Sequence, residues 1–389
     1  MLLRTLAALA LALPVTLAGQ QVPRSATGSG GITLMRELAI GTDTAGPDYE
    51  FAGIGLAAVT RSGSVFVGNA PDGQIRKYDV LGRYRGDVGR VGSGPGEYRH
   101  AQGMAVVGDS LLVVYDWGNG RVVLFDTAGT YRRTFRVSGM GGGPGKLLVV
   151  LSDGTIGVLT RMAANAPRRA GTLPSAYVRY RLTGEILDTI RVPDEVVADV
   201  TLGVRNLGWR FPFSATTVST LLPRGGIATA RTTTYRIDVA PASGPAFVIE
   251  RTVPPVPLAG REREEWQAFL DFGGRQAPGL RVPSLPRQKP FVRDLFADAE
   301  GRIWVEVYTQ AVPRDAPPRA GADPRPTLTM FEPNTYDVFD ERGRCLGRVG
   351  LLPFSRLLAV LGNRIWVSEE TVEGVAVLVR YQMRMPQVR

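Results

Sequence analysis

The 389-residue chain lacks most of the residues that build disulfide scaffolds and histidine metal sites. Its one cysteine, Cys345, cannot form an internal disulfide, so stability must come from packing. We expect Cys345 to be a small apolar filler in or near an outer strand. The one histidine, His100, excludes a zinc site built from two or three histidines of this chain, and it is the only base that a Ser-His-Asp triad could use.

Lysine is scarce as well. Only three of the 46 basic residues are lysine, and arginine is spread along the whole chain. The formal net charge of +10 therefore lacks the clustering on one face that nucleic-acid binding requires, and we expect no nucleic-acid partner. After the N-terminal segment, no apolar run approaches the roughly 18 residues of a membrane-spanning helix.

The N-terminal segment has the pattern of an export signal. Arg4 supplies a positive charge, residues 5–17 form an apolar run, and small residues stand at the positions that a signal peptidase needs. We predict a signal peptide over 1–18, with cleavage near 18–20, followed by a flexible linker over 19–31. The mature chain is then periplasmic or secreted, with no transmembrane segment.

A short pattern recurs six times along the chain. A turn residue is followed two positions later by a branched aliphatic residue and usually by valine two positions after that, which predicts a tight turn into a half-buried strand. The copies occupy residues 63–67, 109–113, 154–158, 225–229, 301–305 and 363–367.

A second pattern places an aromatic residue at the end of a strand and glycine four positions later. Four pairs fit it, and Tyr235 and Tyr381 stand at the equivalent point without the glycine. The pairs are Tyr78–Gly82, Phe125–Gly129, Tyr180–Gly184 and Phe339–Gly343. The two patterns together define a unit of about 45 to 55 residues with four strands, A to D, which is typical of a β-propeller blade.

The sixth unit is too short for its own strand D. Residues near Ile40 resemble the end of a strand D, so we predict that 32–40 pairs as the outer strand of the last blade and closes the ring. The predicted fold is an all-β, six-bladed β-propeller over 32–389, with four antiparallel strands per blade. The predicted blades are 52–98, 99–144, 145–192, 213–252, 291–350, and 351–389 with 32–40.

The second unit carries a family motif. Residues 113–129 read V-x-x-D-x-x-N-x-R-V-x-x-F-x-x-x-G, with Asp116, Asn119 and Arg121 at the polar positions. This resembles the NHL repeat, and across nearly the whole mature chain the sequence resembles the exported six-bladed NHL-like propellers of bacteria. The resemblance implies the fold but no single activity. Some such propellers are zinc-dependent lyases, and six-bladed lactonases and esterases hold calcium around the channel.

Four insertions fall on the same side of the predicted ring, because they interrupt only B–C and D–A connections. They cover 160–176, 193–212, 254–290 and 310–327, and they carry a small net positive charge. Insertions on one side of a repeat ring usually indicate the binding side. The alternative is that these insertions have no function and are merely tolerated by the fold. The third contains an amphipathic helix over 261–272, with Trp266, Phe269 and Leu270 on one face, which caps the ring or forms a lid.

Exposed aromatic and polar residues on that side are the candidate ligand-binding residues. They are Trp117, Asn119, Trp209, Arg210 and Phe211, with Asp116 as a weak metal candidate. The alternatives are burial of the aromatics between blades and hydrogen bonding of Asp116 and Asn119 to their own turn. We expect a cofactor-free, non-catalytic binding module for an envelope protein or glycan. The alternative is a calcium-assisted hydrolase or lyase with its site at the channel mouth.

Overall fold

A computed structural model shows six four-stranded antiparallel sheets arranged around a central channel, which confirms the predicted six-bladed propeller. The described residues are 31–41, 46–69, 73–138, 140–141, 147–161, 172–173, 175–193, 195–196, 201–202, 205–206, 211–277, 279–281, 283–314, 325–371 and 374–386. The predicted signal peptide and nearly all of the linker lie outside them.

Each blade is a meander whose strands are lettered A to D from the channel outward. Blade 1 contains Ile54–Val59, Val65–Asn69, Ile75–Tyr78 and Tyr84–Asp87; blade 2 contains Ala101–Val107, Leu111–Asp116, Arg121–Asp126 and Tyr131–Arg136. Blade 4 contains Thr217–Leu221, Gly226–Arg231, Arg236–Pro241 and Phe247–Glu250; blade 5 contains Val292–Ala297, Ile303–Val307, Thr335–Phe339 and Cys345–Gly350.

Blade 3 departs from the regular pattern at its inner edge. Two short segments, Met140–Gly141 and Leu148–Val150, share the place of strand A, and both pair with strand B, Ile156–Arg161. Strands C and D are Ser175–Tyr180 and Ile186–Arg191. Strand A of this blade is therefore interrupted.

The described residues form one α-helix, α1 (Gly260–Gln276), and two 3-10 turns, Pro47–Tyr49 and Trp117–Asn119. Helix α1 belongs to the third insertion and contains the predicted amphipathic segment. None of the helical segments in the described ranges has the length and apolar character to cross a membrane.

The aromatic–glycine turns join strands C and D, and the structure explains the spacing. Gly82 has φ 79°, a left-handed conformation that a side chain would strain. Tyr78 ends strand C of blade 1 and is fully buried. Asp79 stabilises the turn, because its carboxylate accepts hydrogen bonds from the N–H groups of Leu81 and Arg83.

Six hydrophobic clusters lie between successive blades and form the core of the ring. Trp304 packs between blades 5 and 6, and Trp366 packs between blades 6 and 1. Cys345, at the start of an outer strand, packs against the cluster between blades 4 and 5. Because every blade contributes to two clusters, the core is continuous only when the ring is closed.

Blade 6 is closed by the N-terminal strand. Its strands are Arg356–Leu361, Arg364–Glu370, Ala376–Arg384 and, as strand D, Thr33–Ile40, which pairs antiparallel with strand C. The N–H of Ile32 also donates to the carbonyl of Arg348 in blade 5, 2.8 Å away. The prediction that the leading segment completes the last blade is confirmed.

A charge cluster holds this strand in place. The carboxylate of Glu37 accepts from Arg364 Nε at 2.7 Å and from Arg380 Nε at 2.9 Å. Arg364 and Arg380 lie on strands B and C of blade 6, so the contacts join the first and last parts of the chain. The hydrogen bond from Arg364 is the largest cause that holds the pKa of Glu37 below its ordinary value.

We predict that Glu37→Gln lowers the free energy of unfolding by roughly 1 kcal/mol at neutral pH, because two cations lose their partner. The lowered pKa means that the carboxylate stabilises the fold above its ordinary value of 4.5 and stops doing so as the pH falls through the folded-state pKa. In urea unfolding, the variant should therefore be less stable than the wild type at about pH 7, and the difference in unfolding free energy should shrink as the pH falls below 4.5.

Glu185→Gln is the matched control, since its pair with Arg181 is exposed on both sides. It should leave the unfolding midpoint unchanged. Equal effects of the two substitutions would contradict a specific role of Glu37 in closure.

Candidate functional site

A cavity of about 620 Å³ opens at the centre of the ring. It is lined by the first residues of strand A in blades 1, 2, 5 and 6, by Leu147 and Leu148 of blade 3, and by residues of the blade 5 insertion. Strand A of every blade begins on the face where the D–A connections arrive. The cavity therefore lies at the face that bears the four insertions.

The insertions are joined to one another by short backbone ladders. Thr172–Leu173 pairs with Glu195–Val196, which links the first insertion to the second. Thr201–Leu202 pairs with Leu280–Arg281, which links the second to the third. The fourth is longer than the predicted 310–327, because strands B and C of blade 5 leave 308–334 between them. Within it Val312–Pro313 pairs with Met330–Phe331. Together they form a cap, defined here as the described residues of the four connections that carry the insertions, which the strand bounds place at 162–174, 192–216, 251–291 and 308–334.

The cap has its own hydrophobic core. Phe211, Phe213, Leu258 and Leu285 are buried there, and Trp266 and Leu270 of α1 pack against them. The predicted apolar face of the helix is thus the face that meets the cap, with Phe269 in edge contact with Trp266. This packing favours the prediction that α1 is a fixed cap over the alternative of a mobile lid.

Helix α1 is fastened to the fourth insertion by Glu265. Its carboxylate accepts from the N–H groups of Thr329, at 2.6 Å, and Met330, at 3.0 Å, and from the Thr329 hydroxyl. Arg263 donates to the carbonyls of Leu285 and Pro286. The helix is therefore held by polar contacts on both sides of its apolar face.

A buried ion pair lies beneath α1. Lys289 Nζ is 2.7 Å from Glu262 Oε1 and 3.3 Å from Glu332 Oε1, and it donates to the carbonyl of Thr309 at 2.8 Å. Glu262 Oε2 has no hydrogen-bond partner among the described residues. Burial raises the pKa of Glu262, although Lys289 opposes the shift. Removing only one partner of such a buried pair strongly destabilises the fold, because the other charge is left uncompensated.

The same network continues into the cavity. Glu332 Oε2 is 2.9 Å from Arg293 Nη2, and Arg293 Nη1 is 3.6 Å from Glu306 Oε1. The guanidinium of Arg293 also lies 4.4 Å from the centre of the Tyr308 ring. Burial raises the pKa of Glu306 to about 7, and Arg293 opposes this rise.

The cavity has one charged wall and one apolar wall. The charged wall comes from blades 5 and 6 and contains Arg293, Asp294, Glu306, Glu332, Asn334 and Arg356. The apolar wall comes mainly from blades 1, 2, 3 and 6 and contains Leu56, Ala57, Met104, Leu147, Leu148, Leu357 and Leu358. Such a division suits a ligand with one polar end and one apolar end.

Phe331 and Phe354 also line the cavity, with ring centres 4.0 Å apart. Arg314 lies over the Phe354 ring at 3.8 Å and donates to the carbonyl of Pro353. The aromatic pair joins the fourth insertion to the connection that leads into blade 6.

The motif residues of blade 2 lie away from the cavity. Asp116 is fully buried, and its carboxylate accepts from the N–H groups of Arg99 and His100 and from Asn119 Nδ2 and Arg121 Nε. Asn119 Nδ2 also donates to the carbonyl of Gly92. The network joins the B–C turn of blade 2 to the link from blade 1.

The other sequence candidates are dispersed. Trp117 is 39% exposed on the insertion-bearing face, where its ring meets His100 edge-on. Phe211 is buried in the cap core. Trp209 and Arg210 lie outside the described residues. The structure thus brings none of the described candidates into the central cavity.

Sequence reasoning did not identify the charged wall. Glu306 follows Val305 in the repeated strand pattern, and no local signal separates it from a solvent-facing polar residue. Its neighbours Glu332 and Arg356 are distant in the chain and meet it only through the ring geometry.

No group of three or more His, Cys, Asp or Glu side chains in the described ranges is arranged to hold a metal ion.

No protein-family model matches the chain, and no curated protein sequence matches it. Solved structures are similar in fold. A DUF4221 family member from Bacteroides vulgatus has a TM-score of 0.53 at 11% identity, covering 92% of this chain and 100% of that one. A candidate exported protein from Bacteroides fragilis has a TM-score of 0.49 at 10% identity, covering 94% and 98%. Virginiamycin B lyase from Staphylococcus aureus has a TM-score of 0.40 at 10% identity, covering 92% and 90%.

At these low identities the similar structures show only a shared fold. The DUF4221 member, with a TM-score of 0.53, is the structure that supports this fold. The likeness to the NHL repeat stays a resemblance of motif, since no family model matches.

We predict that Lys289→Met destabilises the protein by about 3–5 kcal/mol, because Glu262 is left as a buried, unpaired carboxylate. The loss should shrink as the pH falls, since protonation removes the uncompensated charge. Thermal unfolding at two pH values and limited proteolysis of the cap measure the effect.

The double variant Glu262→Met with Lys289→Met is the control, because it removes both charges and keeps apolar volume beneath α1. It should recover most of the lost stability. A single variant as stable as the wild type, or a double variant no better than the single one, would show that the pair does not fasten the cap.

Proposed function

We propose that this protein is an exported binding module that recognises an envelope protein or glycan through its insertion-bearing face. The proposed location is the periplasm or the exterior of the cell, reached through the N-terminal signal peptide. The proposed family type is the NHL-like six-bladed propeller.

The observation that carries this proposal is the cavity at the centre of the cap-bearing face. A rigid ring supplies its walls, and the cap surrounds its mouth with a fixed apolar core and a buried ion pair. Preformed concave sites of this size on one face of a repeat ring are typical of recognition surfaces.

Trp117 and Asn119 extend the proposed contact surface beyond the cavity on the same face. Trp117 is exposed there, and tryptophan is enriched at the centres of protein interfaces and in sugar-binding sites. In this proposal Trp117 meets the partner and Asn119 orients the turn that presents it, while Phe211 contributes through its packing in the cap core.

The enzymatic alternative receives less support. The one histidine is exposed beside Trp117 and does not line the cavity. The proposal therefore involves no cofactor and no catalytic step.

We predict that a photo-crosslinking residue, p-benzoylphenylalanine, in place of Trp117 captures an envelope component of the native organism. The same residue in place of Leu81 is the matched control, because Leu81 is exposed on the opposite face, in a C–D turn. Mass spectrometry and glycan staining of the adduct then identify it as a protein or a glycan.

A specific adduct at position 117, with none at position 81, supports recognition through the insertion-bearing face. Equal labelling at both positions, or labelling only at position 81, would contradict it. Intact folding of both variants is checked by circular dichroism.

A further inference from the structure

The charged wall of the cavity contains one arginine, Arg356, that forms no ion pair within 4.0 Å in the described part of the chain. Arg293 is balanced by Glu332 at 2.9 Å and by Glu306 at 3.6 Å. Arg356 lines the same wall and is exposed, and it forms no ion pair or side-chain hydrogen bond with any residue of the described ranges. Asp294, Glu306 and Glu332 supply three carboxylates to this wall, and Arg356 is the arginine of the wall whose N–H donors are left for a ligand.

Arg356 is suited to hold an anion. Its planar guanidinium presents paired N–H donors that match the two oxygens of a carboxylate, and such bonds are strongest where solvent is partly excluded. It stands at the start of strand A in blade 6, directly after the connection that carries Phe354. The backbone at this point is fixed, because Asn334 donates to the carbonyl of Ser355 at 2.8 Å.

The apolar wall of the cavity determines the chemical character of the remaining part of the ligand. Leu56, Met104, Leu147 and Leu358 line it, and these side chains can bind only apolar groups. A cavity of about 620 Å³ holds a small molecule of drug-like size. A simple inorganic anion would leave the apolar wall unused.

We propose that the central cavity binds a small amphipathic carboxylic acid, with Arg356 holding the carboxylate and the leucine-rich wall holding the apolar body. This goes beyond the proposed function, because it assigns a small ligand to the cavity whatever macromolecule meets the face around it.

Glu306 gives this site a dependence on pH. The groups that face it are Arg293 and Asp294 of blade 5 strand A, Glu332 of the fourth insertion, Tyr336 of strand C and Arg356 of blade 6. When Glu306 is neutral, the remaining two cations and two carboxylates balance, and its hydroxyl is able to donate to a ligand oxygen. When it is ionised, it adds a negative charge that repels a carboxylate.

The direction in which affinity changes with pH follows from this charge balance. Binding of an anion favours the neutral form of Glu306, so affinity should rise as the pH falls through the pKa of this group, near 7. The rise ends at about pH 5, where the ligand carboxylate itself becomes protonated.

Isothermal titration calorimetry with 6-phenylhexanoate tests the proposal, with the neutral 6-phenylhexanamide and the cationic 6-phenylhexylamine as shape-matched probes. The carboxylate should bind at least about tenfold more tightly than either, since one charge-assisted pair is worth that factor. Its affinity should be several-fold higher at about pH 6 than at about pH 8.

Three variants separate the contributions. Arg356→Gln should weaken the carboxylate at least about tenfold and abolish the preference over the amide. Glu306→Gln should keep the affinity and remove its dependence on pH. Arg384→Gln is the control, because Arg384 is an exposed arginine of the same blade that does not line the cavity. Unfolding midpoints confirm that all three fold.

Tighter binding of the amine or amide, an Arg356→Gln variant that binds like the wild type, or no carboxylate binding up to about 10 mM would each overturn the proposal. Because the probes are small molecules, these results do not depend on crosslinking at Trp117. Failure of one inference is thus distinguishable from failure of the other.

Discussion

The backbone pairing between Thr33–Ile40 and Ala376–Arg384 is the constraint on which the rest of the molecule depends. A propeller blade is apolar on both faces and is stable only between two neighbours. The cluster between blades 6 and 1 contains Ile40 from the first strand, Trp366 and Leu378 from the last blade, and Val65 from blade 1. Closing the ring with the N-terminal strand therefore completes a core as well as a sheet. The charges of Glu37, Arg364 and Arg380 add specificity to a contact whose main stabilisation is apolar burial.

Closure also fixes the cavity. Residues from the inner edges of five blades meet there, and none of them could form the site alone. The network that begins at Glu262 on α1 passes through Lys289, Glu332 and Arg293 to Glu306, so the cap and the charged wall share their partners. A change in charge at the cavity should therefore alter the strength of the Lys289–Glu262 ion pair beneath α1.

The sequence contained the fold because its signals are local and repeated. The turn at Gly63, the aromatic–glycine pair at Tyr78 and the missing outer strand of blade 6 each restrict the chain within a few residues or by simple counting. No such local signal in the sequence marks the interruption of strand A in blade 3. The role of Asp79 in stabilising its turn is likewise visible only from the hydrogen bonds of the structure. The cavity escaped prediction for a deeper reason. Its charged side chains come from positions far apart in the chain, while Asp116 and Asn119, which have a recognisable motif, use their polar atoms to join two blades.

Hydrogen–deuterium exchange of the strand Thr33–Ile40 tests ring closure most directly. If this strand completes blade 6, its hydrogen-bonded amides should exchange only when the whole propeller unfolds, as slowly as those of the central strands. Exchange of these amides at the rate of an unstructured segment, with the other blades still protected, would contradict the account.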